Sequence, residues 1–286
     1  MNNKLTVSML QTGGMSLVLT LKDRGFIIID GGDEQVDYLK HSKMFMDFLK
    51  NNSPTEKITV LGWFFTHFHY DHVSLATRFL IENKDILDVK GFYINPFCEV
   101  GDDNDRLMRD NLYEAIKHYP DAKVHYLKTG EKLTFPFCYV DIFLSAEDDS
   151  PFGRINQNFV SAAFKVVFEN GKSLLVTGDC DTGRLLRLLD SEDEVFRTDS
   201  ELKCDVVQVA HHGLPMYHKP ELFGNDEFMK KVDPTIALFP VDKERFKSDE
   251  RFREPKWADN YYVMHSGATY YCSEGIVTVD IGKLAQ

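Results

Sequence analysis

The chain has 286 residues, 43% hydrophobic and 27% charged, which is enough apolar material for a sizeable core and excludes a disordered chain. Its net charge of −12, with no block of five Lys or Arg, is a poor field for gripping a long nucleic acid. Five cysteines, an odd number without a CxxC pair, exclude a disulfide framework and a zinc ribbon.

A small anionic substrate stays compatible with this charge, because bound cations reverse the sign of a site locally. The opening MNNKLTVSMLQTGG has no apolar core followed by a small-residue cleavage site. No apolar run reaches the length of a membrane span. The expectation is a cytoplasmic protein with no membrane partner, in which nucleic acid enters only as a substrate.

Ser16–Leu21 and Phe26–Ile29 read as strands joined by the turn Lys22-Asp23-Arg24-Gly25, a hairpin. The second strand ends at Asp30-Gly31-Gly32. Gln35–Asn51 carries apolar residues at helical spacing. Ile58–Phe65 is a buried strand that runs into Thr66-His67-Phe68-His69-Tyr70-Asp71-His72, and Val73–Ile81 is a helix after it. Phe92–Ile94 is a strand, and Asn104–His118 is a helix that stops before Pro120. Lys123–Leu127, Leu133–Phe137 and Tyr139–Leu144 are β-like, and Glu147–Phe152 is an acidic loop.

A second cycle starts near Asn158. Val160–Phe168 and Ser173–Val176 are strands around the turn Glu169-Asn170-Gly171-Lys172. Gly183–Leu189 is a helix and Ser191–Ser200 a charged insertion. Cys204–Ala210 is a strand that delivers His211-His212-Gly213. Thr235–Phe239, Tyr261–Met264, Thr269–Tyr271 and Ile276–Asp280 are the last strands. Two β-rich halves with helices outside predict an α/β fold, an αββα sandwich, in one domain over residues 1–286.

His67, His69, Asp71 and His72 fall within six residues. Imidazole and carboxylate are the ligands that borderline metals prefer. The spacing suits a loop at a strand end, with His67 and His69 holding one ion and Asp71 and His72 a second. Gly178-Asp179 closes the strand before it. Alone it reads as a turn; within the set, its two carboxylate oxygens are able to bridge two cations. His211 and His212 follow a strand in the same way, one as a ligand and the other as a neighbour that binds substrate or moves protons. Asp30 is placed behind the ligands, orienting a metal-bound imidazole through its other ring nitrogen.

The ordered set Asp30-Gly31-Gly32, HxHxDH at 67–72, Gly178-Asp179 and His211-His212-Gly213 resembles the metallo-β-lactamase superfamily over nearly the whole chain. The resemblance implies that superfamily's sandwich, a hydrolase, and two divalent ions, zinc first with manganese or iron as alternatives. It favours His212 over His211 as the ligand. Most of the superfamily supplies a further His before the bridging Asp, whereas this chain reads Asn156-Gln157-Asn158-Phe159-Val160-Ser161 there. That pattern is similar to the hydrolase domain of competence DNA-uptake channel proteins and to phosphorylcholine esterases. It makes Asn158, with Asn156 in reserve, the candidate at the missing position, as an amide-oxygen ligand or a substrate contact.

The expected reaction is hydrolysis of a phosphodiester or related small phosphoester by a hydroxide bridging the two metals. His265 is the candidate proton donor to the leaving group, and Asp71 and Asp179 hold the cations. Carboxylic ester, lactone or thioester hydrolysis is the alternative on the same scaffold. A di-iron protein reducing oxygen or NO is disfavoured by His69, where such relatives generally carry an acid. A metal-free binding module is disfavoured by the intact His/Asp set.

Overall fold

A computed structural model describes residues 4–97, 103–146, 157–180, 202–213, 231–242, 268–272 and 275–284. The expected loop 147–152, helix 183–189, insertion 191–200, strand 261–264, Asn156 and His265 lie outside the described residues.

The first sheet contains β1 (Leu5–Met9), β2 (Ser16–Leu21), β3 (Phe26–Asp30), β4 (Ile58–Phe65), β5 (Leu87–Val89), β6 (Gly91–Ile94), β7 (Lys123–Tyr126) and β15 (Val277–Asp280). Its order is β15-β1-β2-β3-β4-β6-β7, with β5 paired to β4. The second sheet contains β8 (Lys132–Phe135), β9 (Cys138–Leu144), β10 (Ala163–Phe168), β11 (Ser173–Val176), β12 (Val206–Gln208), β13 (Ile236–Phe239) and β14 (Ala268–Tyr271). They run in the order β14-β13-β12-β11-β10-β9-β8. Helices α1 (Tyr38–Asn52), α2 (Tyr70–Glu82) and α3 (Asp103–Ile116) accompany the first sheet.

Alternation along the strands separates two cores. In β3, Ile27 and Ile29 enter the core between the sheets, with Val7, Phe64, Val140, Phe164 and Val176. Phe26 and Ile28 point the other way, into the core beneath the helices, with Phe45, Trp63, Phe79 and Leu112. A strand buried on both faces must be apolar throughout, which is why Phe26–Ile29 reads as an unbroken run. A third core, with Phe143, Leu175, Val207 and Phe239, lies on the far face of the second sheet. Opposite Phe26/Ile27 the register of β4 slips by one residue. That bulge re-aims the strand, so Trp63 and Phe65 face the helices while Phe64 faces the second sheet.

Strands β3, β4, β6 and β7 are parallel, as are β11 to β14. Their carboxyl ends meet at one rim of the sandwich, where ligand sites collect in parallel sheets. Asp30, the 66–72 segment, Asn95, Asp179, His211, His212 and Pro240 all stand there, each at or just past a strand end.

Several boundaries differ from the sequence reading. Leu5–Met9 is a strand that the reading passed over, paired with β2 and β15. The strand expected from Val160 begins at Ala163, because Gln157–Val160 forms a 3-10 turn. The strand expected over 204–210 is confined to Val206–Gln208, and Ala210–Gly213 coils out of it. Both shortenings free backbone at the rim to carry side chains inward. Among the described residues Cys138, Cys180, Cys204 and Cys272 are buried free thiols, and no helix is long and apolar enough to cross a membrane.

Candidate metal centre

Three backbone devices and one side-chain amide bring the rim side chains together. Gly178 has φ +53°, and a Cβ there would meet Ser161 Oγ at 2.1 Å, so only glycine lets β11 turn Asp179 inward. Gly31 lets α2 approach β3, since a Cβ would stand 2.3 Å from Ala76. Asp30, His211 and His212 are themselves left-handed, at φ 53°, 49° and 56°. Such angles are strained for residues with a Cβ and persist where surrounding contacts hold them. Asn95 ties the sheets: its amide nitrogen donates to the carbonyls of Thr66 (2.9 Å) and Val160, and its oxygen accepts from Ala146 N at 2.9 Å.

Behind the cluster, Asp30 accepts from Thr66 N at 2.8 Å, Thr66 Oγ1 at 2.7 Å and His72 Nδ1 at 2.7 Å. Trp63 Nε1 donates to the Asp30 carbonyl at 3.0 Å. With its own proton committed to Asp30, Thr66 Oγ1 accepts from His67 Nδ1 at 3.1 Å. His212 Nδ1 donates to the Pro240 carbonyl at 2.7 Å. Each of the three imidazoles therefore has its outward nitrogen fixed, and each turns Nε2 inward.

The inward atoms converge. Asp179 oxygens lie 3.9 Å from His67 Nε2, 3.2 Å from His72 Nε2 and 3.6 Å from His212 Nε2. His212 Nε2 is 3.1 Å from Asp71 Oδ2 and 3.3 Å from His72 Nε2. Two triads of potential donors result, His67–His72–Asp179 and Asp71–His72–His212. His72 belongs to both, so the division expected from spacing, His67 with His69 and Asp71 with His72, is not the grouping observed. His69 adjoins His67, with ring centroids 4.6 Å apart, but joins neither triad. His211 Nε2 is 3.9 Å from Asp179 Oδ2 and accepts from Asn158 Nδ2 at 3.1 Å.

Electrostatics follow from this crowding. Burial pushes His67 well below the usual imidazole range, and His72 and His69 push the same way. Burial also lowers His211. It opposes protonation of His72 and His212 too, but Asp179, with Asp30 for the one and Asp71 for the other, overrides it and raises both. Desolvation opposes ionisation of Asp179 and Asp71, yet the facing imidazoles hold both carboxyls far below the carboxylate range.

The residues fit a cation. Two donors sharing one ion at about 2.1 Å each are at most about 4.2 Å apart, and the 3.1–3.9 Å separations fall inside that limit. His67 Nε2 is buried without a hydrogen-bond partner, and Asp179 Oδ1 faces His72 Nε2 at 3.2 Å. Without an ion, the facing carboxylates favour protonation of His72 and His212.

Sequence reasoning missed Asn95, Asp105, Ser161 and Gln208. Ser161 Oγ accepts from Asp179 N at 3.0 Å. Asn95 and Gln208 are fully buried polar residues at strand ends, a position that marks them in the sequence only once the strands are known.

No protein-family model matches the chain, and no curated protein does. Solved structures match over nearly all of it. The metallo-β-lactamase fold protein YhfI from Bacillus subtilis superposes with a TM-score of 0.56 at 10% identity, covering 96% of this chain and 100% of its own. Tm1679, described as a metal-dependent hydrolase of the β-lactamase superfamily, gives 0.52 at 10% identity over 97% of this chain and 99% of its own. CmlA from Streptomyces venezuelae, described as a diiron β-hydroxylase, gives 0.56 at 12% identity over 98% of this chain, which spans 55% of CmlA.

Two packed sheets, with helices against the first and a His/Asp cluster at one rim, define a layered α/β sandwich. The particular fold is the metallo-β-lactamase fold.

Proposed function

We propose that the protein is a metal-dependent hydrolase that holds two divalent cations and cleaves small phosphodiesters or related phosphoesters. One observation carries the hydrolase reading: three fixed imidazoles and two carboxylates converge, and His67 Nε2 is buried without a hydrogen-bond partner. The description of Tm1679 as a metal-dependent hydrolase supports it.

His67 and Asp179 would hold one ion and Asp71, His72 and His212 the other; His69, which adjoins His67 outside both triads, is the proposed further ligand of the first. Zinc is the first ion to test, manganese and iron the next. Bound there, the cations would lower the pKa of water toward neutrality and offset charge developing on substrate oxygens. The chain's own residues do the rest. Asp30 holds His72 in one tautomer and Pro240 does the same for His212. Asn158 and His211 form a polar pair beside the cluster and are assigned to orient the substrate. His265 is assigned as proton donor to the leaving group.

The phosphoester assignment rests on the Asn158/HHG pattern, and the net charge of −12 favours a small substrate over a polymer. Location in the cytoplasm belongs to the same proposal. A second reading is oxygen chemistry at a di-iron centre, which the CmlA description favours.

The test is elemental analysis of protein purified without chelator, followed by a panel of chromogenic phosphodiesters, lactones, thioesters and β-lactams. Zinc or manganese with phosphodiester turnover is the expected result. Turnover of lactones or thioesters alone would overturn the substrate class. Two irons with oxygen consumption and no hydrolysis would establish the second reading instead.

A further inference from the structure

Helix α3 puts a carboxylate where its pattern calls for an apolar residue. Its buried positions are Asp105, Met108, Leu112, Ala115 and Ile116, the three-and-four spacing of a core-facing stripe. Asp105 opens that stripe and is 8% exposed. Phe68, between the first two histidines, packs on Phe97 and on Tyr113 of α3, with ring centroids 5.3 and 6.4 Å away. That packing brings the histidine loop onto the helix and leaves Asp105 Oδ1 3.8 Å from His69 Nε2.

The other cluster histidines explain what this contact is for. His72, His212 and His67 each rest their outward nitrogen on an acceptor behind the site: Asp30, the Pro240 carbonyl and Thr66 Oγ1. His69 has the same need. Its Nε2 faces Asp105 Oδ1 at 3.8 Å, and Asp105 belongs to neither donor triad.

We propose that Asp105 is the positioning residue of His69. It receives the proton on Nε2 and so leaves the Nδ1 lone pair for a cation, which rests on the metal reading above. A separation of 3.8 Å is too long for a direct hydrogen bond. A bridging water would span it, and a small rotation of His69, whose side chain is 24% exposed, would close it. Carboxylates on the second nitrogen of a metal-bound imidazole fix its tautomer and raise its basicity.

The test compares wild type with Asp105→Ala, Asp105→Asn, His69→Ala and the Asp105→Ala/His69→Ala double variant. Zinc affinity is measured by chelator competition on the full chain. Asp105→Ala should weaken one zinc equivalent by about 10–100-fold and spare the other. Asp105→Asn should recover part of the loss, because its amide oxygen still accepts. The double variant should bind zinc no worse than His69→Ala, since both changes act through one ring. The melting midpoint of metal-free Asp105→Ala should not fall.

Nitrogen-15 imidazole spectra of the metal-free wild type should show His69 protonated on Nε2. Protonation on Nδ1 would overturn the proposal. So would wild-type zinc binding in Asp105→Ala, or equal loss at both sites together with a lower melting midpoint. Wild-type protein that binds no zinc would overturn the metal reading instead, and the His69 spectra would still decide where the proton sits.

Discussion

The side-chain amide of Gln208 grips both backbone polar groups of Gly178: its oxygen accepts from Gly178 N at 2.8 Å and its nitrogen donates to Gly178 O at 3.1 Å. The same oxygen accepts from Thr177 N at 2.9 Å, and His211 N also donates to Gly178 O at 3.1 Å. One buried glutamine thus sets the turn that aims Asp179 and anchors the start of the His211-His212 loop.

Gln208→Leu should therefore cost at least about 2 kcal/mol, because it strands buried backbone groups. Urea unfolding measures it. Metal affinity should fall as well, since Asp179 loses its fixed direction. A variant as stable as wild type would mean that the amide is dispensable.

Asp179→Asn should lower the occupancy of both ions and abolish hydrolysis of a phosphodiester. Asp71→Asn should mainly empty one site, because Asp71 belongs to one triad while Asp179 faces His67, His72 and His212. Metal stoichiometry beside activity distinguishes the two. Full activity of Asp179→Asn at full occupancy would place the site elsewhere.

Asp30→Ala removes the carboxylate shared by Thr66 and His72. A loss of about 3–5 kcal/mol is expected on breaking such a buried pair, with metal affinity about 10–100-fold weaker. Calorimetric melting of the metal-free protein and zinc titration read the two effects separately.

Metal should stabilise the native state by about 2.7 kcal/mol at a hundredfold excess over its dissociation constant. The ligands come from both sheets, so the unfolded chain does not hold them together. Melting with and without EDTA checks this, and an unchanged midpoint with confirmed metal loss would refute the coupling.

Acid should unfold the metal-free protein chiefly below about pH 4, the unfolded carboxylate range. Asp71 and Asp179 have lowered native pKa values, so their contribution is present above that range and lost as pH falls through the native values. Near the ordinary histidine pKa two effects oppose. His72 and His212, raised, contribute below it and lose that contribution as pH rises. His67 and His211, lowered, contribute above it and lose it as pH falls. Metal must displace the protons on His72 and His212, so zinc affinity should climb as pH rises. Buffer-dependent binding enthalpies report the protons released, and pH-independent binding would contradict the assignment.

Much of this arrangement is legible in the sequence because period and punctuation carry it. The unbroken run Phe26–Ile29 announces a strand buried on two faces, and it ends at an acid and two glycines. The spacing of HxHxDH points to a loop turning into the start of a helix, and the first turn of α2 carries Asp71 and His72. Other features are long-range. That His72 serves both triads depends on how two sheets meet, which no local pattern records. Leu5–Met9 gains its strand identity from partners at both ends of the chain, β2 and β15. Asp105 was readable as an acid on an apolar stripe, but its partner lies in another element.

The left-handed backbone at His211 and His212 has a consequence for how this site would erode. Two adjacent side-chain-bearing residues held at positive φ are each a local minimum of stability that glycine would relieve. Selecting variants for resistance to heat alone, in the absence of metal, should enrich glycine at these positions and yield a hardier scaffold without its chemistry. Persistence of both histidines under such selection would mean that they contribute more to the fold than to the ion.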